Sequence, residues 1–178
     1  MIIRGRALVF GNNVNTDELH PSRFFSLDDR TVRSGFLQAA AGYEKVGSGD
    51  VDGRLVIAGD NFGCGSSRET SARSFLLAGV RAVVARSLAR IFSRNVRNLG
   101  LPAIECPTLP SIAPDTEIEL DLTSERLLVP GAGLALPITA LDPFWAAVLA
   151  AGGLLPFLGL TEPVDLSRGR ALPVIHQG

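Results

Sequence analysis

The chain has 178 residues, of which 46% are hydrophobic, which suffices for one domain with its own core. Its formal net charge of −1 and the lack of basic runs interleaved with aromatic residues argue against a nucleic-acid-binding protein. The two cysteines, Cys64 and Cys106, form no CxxC pair, and His20 and His176 lie far from both in sequence. The cysteines and histidines of this chain alone therefore do not predict an iron–sulfur or zinc site.

Neither end of the chain predicts a membrane or export signal. The opening residues, MIIRGR, carry charges that would interrupt the apolar core of a secretory signal, so we expect a cytoplasmic location. The longest uncharged stretch, residues 144–160, contains three glycines and one proline and is short and broken for a membrane span. A buried helix followed by a loop is expected there.

The first elements are a strand and a loop-rich segment. Residues 7–10 predict a strand, which the polar turn at residues 11–13 ends. Residues 17–50 are rich in loop-forming residues, and we expect one short helix there, around residues 34–41.

The next part of the chain alternates strands and helices, which predicts parallel pairing. Residues 55–58 form a strand that leads through a glycine-rich loop into a helix at about residues 66–77, ended by Gly79. Residues 81–85 form the next strand, and residues 88–98 form a second amphipathic helix. The residues of this helix predicted to face inward are Leu88, Ile91, Phe92 and Val96, and Gly100 is expected to end it.

An antiparallel appendage follows. Residues 118–122 and 127–129 alternate apolar and polar side chains around a turn at residues 123–125, which predicts a hairpin. Asp142 before Pro143 is typical of the start of a final helix. The fold class expected is α/β, with one domain over residues 1–160 and a proline-marked carboxyl-terminal tail over residues 161–178.

The glycine-hinged loop at residues 60–69, DNFGCGSSRE, is the strongest candidate for a functional site. Glycines at 63 and 65 permit backbone conformations closed to other residues, and a helix amino terminus is predicted to follow. Ser66, Ser67 and Arg68 beside such a terminus would form a corner that binds a carboxylate or a phosphate.

Three familiar motifs do not match this loop. No lysine precedes the two serines, as a P-loop requires, and no third glycine completes a dinucleotide-binding fingerprint. A serine-hydrolase elbow would need glycine on both sides of one serine and a well-placed histidine. Two plainer interpretations stay open: Ser66 caps the helix with Glu69 completing a capping box, and Cys64 is a small buried residue.

Three separated motifs resemble one known family. Residues 60–69, the Asn15-Thr16-Asp17 segment and residues 85–95 (ARSLARIFSRN) are similar to the small subunit of 3-isopropylmalate dehydratase and of related homoaconitases. The likeness extends from about residue 4 to residue 150. It implies the swivelling domain of aconitases, a three-layer β/β/α fold with a mixed sheet, here as a separate chain.

The resemblance also implies an activity that needs a second chain. It implies a hydro-lyase that isomerises a hydroxy acid by dehydration and rehydration, with a [4Fe–4S] cluster acting as Lewis acid. By the same resemblance, the cluster ligands would belong to the large subunit, so this chain would bind no metal and would work only in a heterodimer or heterotetramer. By motif position, Ser66 matches the serine that removes the proton α to a carboxylate, and Arg68 the carboxylate clamp. Ser67 matches a further substrate contact, and Asp17 an active-site aspartate, although Asp17 alone could equally form a turn after Asn15.

Substrate choice in the resembled family is associated with the segment that here comprises Phe24, Phe25, Ser26 and Leu27. The absence of arginine at Ser26 argues against a clamp for an additional carboxylate, and Phe25 and Leu27 would line an apolar pocket. Isopropylmalate is therefore the expected substrate, although Arg23 or Arg30 could still supply a charge.

Other functions stay open at the level of the sequence. Within the family, the alternatives are a homoaconitase or another malate-type dehydratase small subunit. His20 stands where the family usually has an aliphatic residue, which keeps a less common malate-type substrate in view. In a different class, the same corner would serve a non-catalytic carboxylate-binding module.

Overall fold

The structure is a computed structural model that describes residues 1–40, 42, 48–65 and 68–161. Within these residues lie seven strands and six α-helices, with short 3₁₀ turns at Ser22–Phe24, Ser48–Val51 and Pro130–Ala132. The strands are β1 (Ile2–Val9), β2 (Leu55–Ala58), β3 (Ala82–Ala85), β4 (Ala103–Glu105), β5 (Glu117–Asp121), β6 (Arg126–Val129) and β7 (Leu134–Pro137). The helices are α1 (Thr16–Leu19), α2 (Asp29–Ser34), α3 (Glu69–Leu77), α4 (Arg90–Asn98), α5 (Pro143–Ala150) and α6 (Leu154–Phe157).

The strands form one mixed sheet in the order β4-β3-β2-β1-β5-β6-β7. The β4-β3-β2-β1 half is parallel, and the β1-β5-β6-β7 half is antiparallel. Strand β1 joins the two halves with different parts of its length: Ala7 to Val9 pair with β2, and Ile2 to Arg6 pair with β5. This division lets the antiparallel half curl over one face of the parallel half.

The two faces of the parallel half are buried in separate cores. Alternate residues such as Leu8, Val56 and Val83 belong to a core shared with the helices. Their neighbours, such as Ile57 and Val84, belong to a second core. That second core is shared with side chains of the antiparallel half: Ile118, Leu120 and Leu127. Burial on both faces requires a layer on each side of a parallel sheet, and here the layers are helices and antiparallel strands. The predicted three-layer β/β/α fold is confirmed.

Four phenylalanines form the centre of the helical core. Phe75 on α3 contacts the rings of Phe36, Phe62 and Phe92 edge-to-face, with ring centroids 4.8, 6.3 and 5.5 Å away. Such pairs add to the free energy gained by burying the rings.

We expect Phe75→Ala to lower the free energy of unfolding by about 3–5 kcal/mol, because it leaves a cavity among three rings. Ile91→Ala on the neighbouring helix is the control, since Ile91 is 51% exposed and surface truncation changes stability by about 0.5 kcal/mol or less. Urea denaturation of both variants gives the comparison. A cost for Phe75→Ala as small as that for Ile91→Ala would contradict this packing.

Several sequence-based boundaries were right. Strands β5 and β6 form the predicted antiparallel hairpin. Helix α5 begins at Pro143, and Asp142 caps it by accepting a 2.8 Å hydrogen bond from the Phe144 N–H. The first strand, in contrast, was predicted over residues 7–10, which is too short. In the structure β1 runs from Ile2 to Val9.

Other expectations were wrong. The short helix lies at Asp29–Ser34 instead of residues 34–41, because Asp28 caps it by accepting from the Thr31 N–H at 2.8 Å. Ile91 does not face inward. The helix expected over residues 88–98 begins at Arg90, since the preceding residues are held in a loop.

The capping box suggested for the glycine-rich loop is also wrong. Helix α3 begins at Glu69 instead of residue 66, and its N-cap is Arg68, so Glu69 occupies the first helical position instead of the third. Arg68 has an extended backbone and its side chain does not cap the helix.

Among the described residues, none of the helices is long and apolar enough to cross a membrane. The predicted tail lies outside the described residues, apart from Thr161. The domain boundary at residue 160 therefore stays a prediction.

Candidate active site

Three loops meet at the carboxyl ends of the parallel strands β1, β2 and β3. Residues 10–15 follow β1, residues 59–65 follow β2, and residues 86–89 follow β3. Isolated bridges join Asn15 to Cys64 and Phe62 to Leu88. Since carboxyl ends of parallel strands share one edge, segments distant in sequence converge here, which is where open α/β sheets bind ligands.

Main-chain hydrogen bonds hold the glycine-hinged loop against its two neighbours. Thr16 N–H donates to the Cys64 carbonyl at 2.7 Å, and Gly63 N–H donates to the Val14 carbonyl at 3.0 Å. On the other side, Ala89 N–H donates to the Phe62 carbonyl at 2.9 Å. Residues 62–64 of the loop are thus paired along both edges, which limits the freedom of this part to move.

The two glycines are required by close contacts as well as by backbone angles. Gly65 has φ +102°, and a β-carbon there would lie 2.1 Å from Asn15 Oδ1. Gly63 has φ +81°, and a β-carbon would lie 2.3 Å from the Phe92 ring. Neither position accepts another residue without displacing the Asn15 side chain or the buried Phe92 ring.

An ion pair fixes the start of this loop. Arg86 binds Asp60 through Nε and Nη2, the shortest contact being 2.7 Å, and Nη2 also donates to Asn12 Oδ1 at 2.6 Å. The same Asn12 oxygen accepts from the Asp60 N–H at 2.9 Å. Hydrogen bonding to Arg86 lowers the pKa of the Asp60 carboxyl, and the same contact raises the pKa of the Arg86 guanidinium. The three loops are therefore tied together by side chains as well.

Asp17 lies in the first turn of α1, beside the glycine-hinged loop. Asn15 caps this helix, since its Oδ1 accepts a 2.8 Å hydrogen bond from the Asp17 N–H. The same side chain abuts Gly65. The exposed Asp17 carboxyl is thus carried by an element that touches the loop directly.

Arg68 contacts the segment predicted to choose the substrate. Its guanidinium carbon lies 4.6 Å from the centre of the Phe25 ring, a cation–π contact. Phe24 and Phe25 are half-buried, and Ser26 accepts a 3.0 Å hydrogen bond from the Asp28 N–H. Leu27 is 93% exposed, so it packs against nothing in the described part of this chain.

Helix α3 also contacts the 24–27 segment, through Arg73. Arg73 forms an ion pair with Asp29 at the start of α2, and its Nη2 donates to the Leu27 carbonyl at 3.4 Å. Arg68 and the 24–27 segment are therefore attached to one helix, although 40 residues separate them in the chain.

The structure brings Asp17, Arg68, Phe24, Phe25, Ser26 and Leu27 to one end of the molecule. Ser66 and Ser67 lie outside the described residues, so their roles stay predictions. Within the chain they are flanked by Gly65 and Arg68, which both belong to the site.

Sequence reasoning missed the residues that support the site. Asn12, Arg86 and Asp60 form the network that ties the loops, and Asn15 acts as both helix cap and contact of Gly65. A run of asparagines after a strand was visible, but which loop each would bind depends on strand order. Arg86 lies in the motif at residues 85–95, but the sequence did not indicate which residue it would bind.

The two cysteines do not form a ligand set. Cys64 lies in the glycine-hinged loop, its Sγ 3.4 Å from the Asn13 carbonyl oxygen. Cys106 is buried in the second core beside the Pro137 carbonyl, and burial raises the pKa of its thiol. Across the residues that the structure describes, no group of three or more His, Cys, Asp or Glu side chains could hold a metal. These residues do not fit an iron–sulfur cluster.

His20 is fully buried next to this site, and its protonation is coupled to folding. Nε2 lies 3.0 Å from the Val32 carbonyl, which can only accept, so Nε2 carries the proton. Burial lowers the pKa of the imidazole and the Val32 carbonyl partly opposes this effect. In the described structure Nδ1 has no hydrogen-bond partner. A second proton on the ring would therefore be unfavourable.

We expect the native state to lose stability as the pH falls below about 6.5, the ordinary pKa of histidine, because the unfolded chain then binds a proton that the folded ring resists. The loss contributed by one proton is at most about 1.4 kcal/mol per pH unit. His20→Gln should flatten this part of the curve, since glutamine does not titrate and can still donate to Val32. Urea unfolding between pH 5 and pH 8 measures it, and identical slopes for both proteins would contradict this expectation.

The fold and the site together define a class: a β/β/α domain that gathers an aspartate, an arginine and a glycine-hinged loop at the carboxyl edge of parallel strands. Residues 12–109 match the model of the aconitase C-terminal domain family. The chain therefore belongs to the aconitase C-terminal domain family.

Individual relatives show which enzyme subunits the chain resembles. The chain is 38% identical over 160 residues to the 3-isopropylmalate dehydratase small subunit of Moorella thermoacetica, covering 89% of this chain and 95% of the relative. It is 37% identical over 166 residues to the 2,3-dimethylmalate dehydratase small subunit of Eubacterium barkeri, covering 91% and 99%. The crystal structure of 3-isopropylmalate dehydratase from Methanocaldococcus jannaschii superposes with a TM-score of 0.80 at 34% identity, covering 89% and 94%. The resemblance stated from the motifs is confirmed.

Proposed function

We propose that this chain is the small subunit of an iron–sulfur hydro-lyase that interconverts 3-isopropylmalate and 2-isopropylmalate by dehydration and rehydration, a step of leucine biosynthesis. The observation that carries this proposal is the convergence of Asp17, Arg68 and the glycine-hinged loop at one sheet edge. It occurs in a chain that matches a dehydratase small subunit over nearly its whole length.

The residues of this chain have separate tasks in the proposed reaction. Arg68 binds a substrate carboxylate through the edge of its guanidinium, while the face of the same group rests on Phe25. Ser66 removes the proton α to that carboxylate, and Ser67 makes a further substrate contact. Asp17 presents an exposed carboxylate beside the loop for proton transfer.

A serine hydroxyl is normally a very weak base, so the site must lower its pKa. The amino terminus of α3 and the Arg68 cation are the two features that favour negative charge next to residues 66 and 67. The helix terminus is held in place, because α3 is packed into the helical core through Phe75.

The proposed substrate follows from the chemistry of the 24–27 segment. Phe24, Phe25 and Leu27 are apolar, and Ser26 carries no charge for an additional carboxylate. An isopropyl group suits such a surface, and selection between alkyl groups is worth about 1–3 kcal/mol per methylene. Because a 2,3-dimethylmalate dehydratase subunit is nearly as similar, 2,3-dimethylmalate is the second candidate substrate.

We assign the cluster of the proposed enzyme to a large subunit, because the cysteines described here are not arranged to bind it. The large subunit and this chain would form a heterodimer or a heterotetramer. The expected cytoplasmic location also stays part of this proposal.

The test is reconstitution. The chain is co-expressed with the large subunit from the same organism, purified anaerobically and assayed by chromatography with 3-isopropylmalate, citramalate, 2,3-dimethylmalate and homocitrate. We expect turnover only with both chains present, and the highest kcat/KM with 3-isopropylmalate. Turnover of another acid at higher kcat/KM would replace the proposed substrate, and tight substrate binding by this chain alone without turnover in the complex would indicate a carboxylate-binding module.

A further inference from the structure

Three side chains form a continuous stack from the protein interior to the site. The buried imidazole of His20 lies against the Phe25 ring, with centroids 5.5 Å apart and planes tilted by 30°. The guanidinium carbon of Arg68 lies 4.6 Å from the centre of the same ring. Phe25 therefore connects a fully buried residue to the arginine proposed to hold substrate.

The inner end of this stack is held rigidly. His20 Nε2 donates to the Val32 carbonyl at 3.0 Å, and the His20 N–H donates to the Thr16 carbonyl at 2.8 Å. Gly35 leaves room for the ring, because a β-carbon there would lie 2.7 Å from Nε2. These contacts fix the position of the imidazole from two helices, α1 and α2.

The outer end has less support. Phe25 is half-buried and follows a single 3₁₀ turn at Ser22–Phe24. Its backbone N–H donates to the Ser22 carbonyl at 3.0 Å, a local contact that does not determine where the ring lies. His20 is thus the rigid support on which the Phe25 ring can be placed.

A purely structural role would not explain why a polar ring occupies this position. An aliphatic side chain would bury the same region and would not leave a buried acceptor, Nδ1, without a hydrogen bond, which is unfavourable. A flat ring fixed by one directional hydrogen bond, however, presents a defined face to Phe25, whereas a branched aliphatic group does not.

We propose that His20 is a positioning residue that acts through Phe25 to hold the Arg68 guanidinium in its substrate-binding orientation. This inference rests on the proposed function only for its kinetic consequence. The placement of Arg68 itself is a property of the chain alone.

The first experiment therefore measures that placement without activity. In NMR spectra of the full chain, the ring current of Phe25 should shift the side-chain protons of Arg68 upfield. We expect His20→Leu to reduce this shift by about half or more, because the ring loses its support. His20→Gln, which retains a donor for Val32 but no ring, should reduce it similarly. Leu127→Ala, a buried change in the second core, should leave the shift unchanged.

The second experiment measures the consequence in the reconstituted complex. We expect His20→Leu to raise KM for 3-isopropylmalate about tenfold with a small change in kcat, which corresponds to loss of uniform binding. In an Arg68→Lys background the same substitution should change KM less than about twofold, because the residue through which it acts is already altered. Leu127→Ala lowers stability and should leave KM at the wild-type value.

An Arg68 shift that is the same in His20→Leu as in the wild type would overturn the inference. So would a tenfold rise in KM that persists in the Arg68→Lys background. If the wild-type complex does not turn over 3-isopropylmalate, the proposed function fails, and the NMR comparison still decides the role of His20.

Discussion

Replacing Ser66 with alanine should lower kcat of the reconstituted enzyme by about 10²–10⁴-fold, the range typical for loss of a general base. KM should change little, since the hydroxyl acts on the proton and does not hold the carboxylate in the ground state. Steady-state kinetics with 3-isopropylmalate give both constants. Exchange of the α proton of the substrate with D₂O, followed by mass spectrometry, should be lost to the same extent.

Ser93→Ala is the matched control for this substitution. Ser93 lies on α4, and its hydroxyl donates to the Arg90 carbonyl at 3.1 Å within the helix. Its removal should leave kcat within about threefold of the wild type. A Ser66→Ala complex that keeps wild-type kcat and proton exchange would exclude a serine base at this position, and the proton would have to be removed by another group.

The parallel half of the fold was predictable from the sequence, because its signal is local. Apolar runs such as residues 55–58, each followed by an amphipathic helix, specify parallel strands with helices between them. The pairing of β1 with a parallel strand on one side and an antiparallel strand on the other was not predictable. Its amino-terminal residues alternate charged and apolar side chains, and the pairing of Arg4 with Glu119 depends on a hairpin more than 100 residues later.

The helix boundaries failed for tertiary reasons. Residues 88 and 89 continue the apolar pattern of α4, but Leu88 N–H donates to Glu105 Oε1 and Ala89 N–H donates to the Phe62 carbonyl. These bonds to other loops hold both residues outside the helix. Periodicity counts apolar positions and does not show competing partners of the backbone, so it extended the helix too far.

The candidate site was likewise predictable only where its residues are adjacent in the sequence. The loop chemistry at residues 60–69 was visible because glycine, serine and arginine are adjacent in the sequence. The contact between Arg68 and Phe25 joins positions more than 40 residues apart, and the Phe25 ring in turn lies against His20. Such contacts follow from where α1 and α3 lie relative to one another, which no local pattern encodes.

Replacing Arg68 with lysine should lower kcat/KM by about 10- to 150-fold, equivalent to about 1.5–3 kcal/mol for a lost charged hydrogen bond. Lysine keeps the positive charge but has neither the planar fork that binds a carboxylate at two points nor the flat face that rests on Phe25. The loss should therefore appear although the net charge of the site is the same. Steady-state kinetics of the reconstituted complex measure it.

The matched control is Arg81→Lys. Arg81 directly precedes β3, at the opposite end of the parallel strands, and its Nη1 donates to the Arg4 carbonyl at 3.2 Å. The same chemical change there removes a surface contact and should leave kcat/KM unchanged within about twofold. If both substitutions had equal effects, Arg68 would contribute only charge. Because each substitution keeps its positive charge, a loss seen only in Arg68→Lys comes from the shape of the guanidinium, which has a planar fork and a flat face that rests on Phe25.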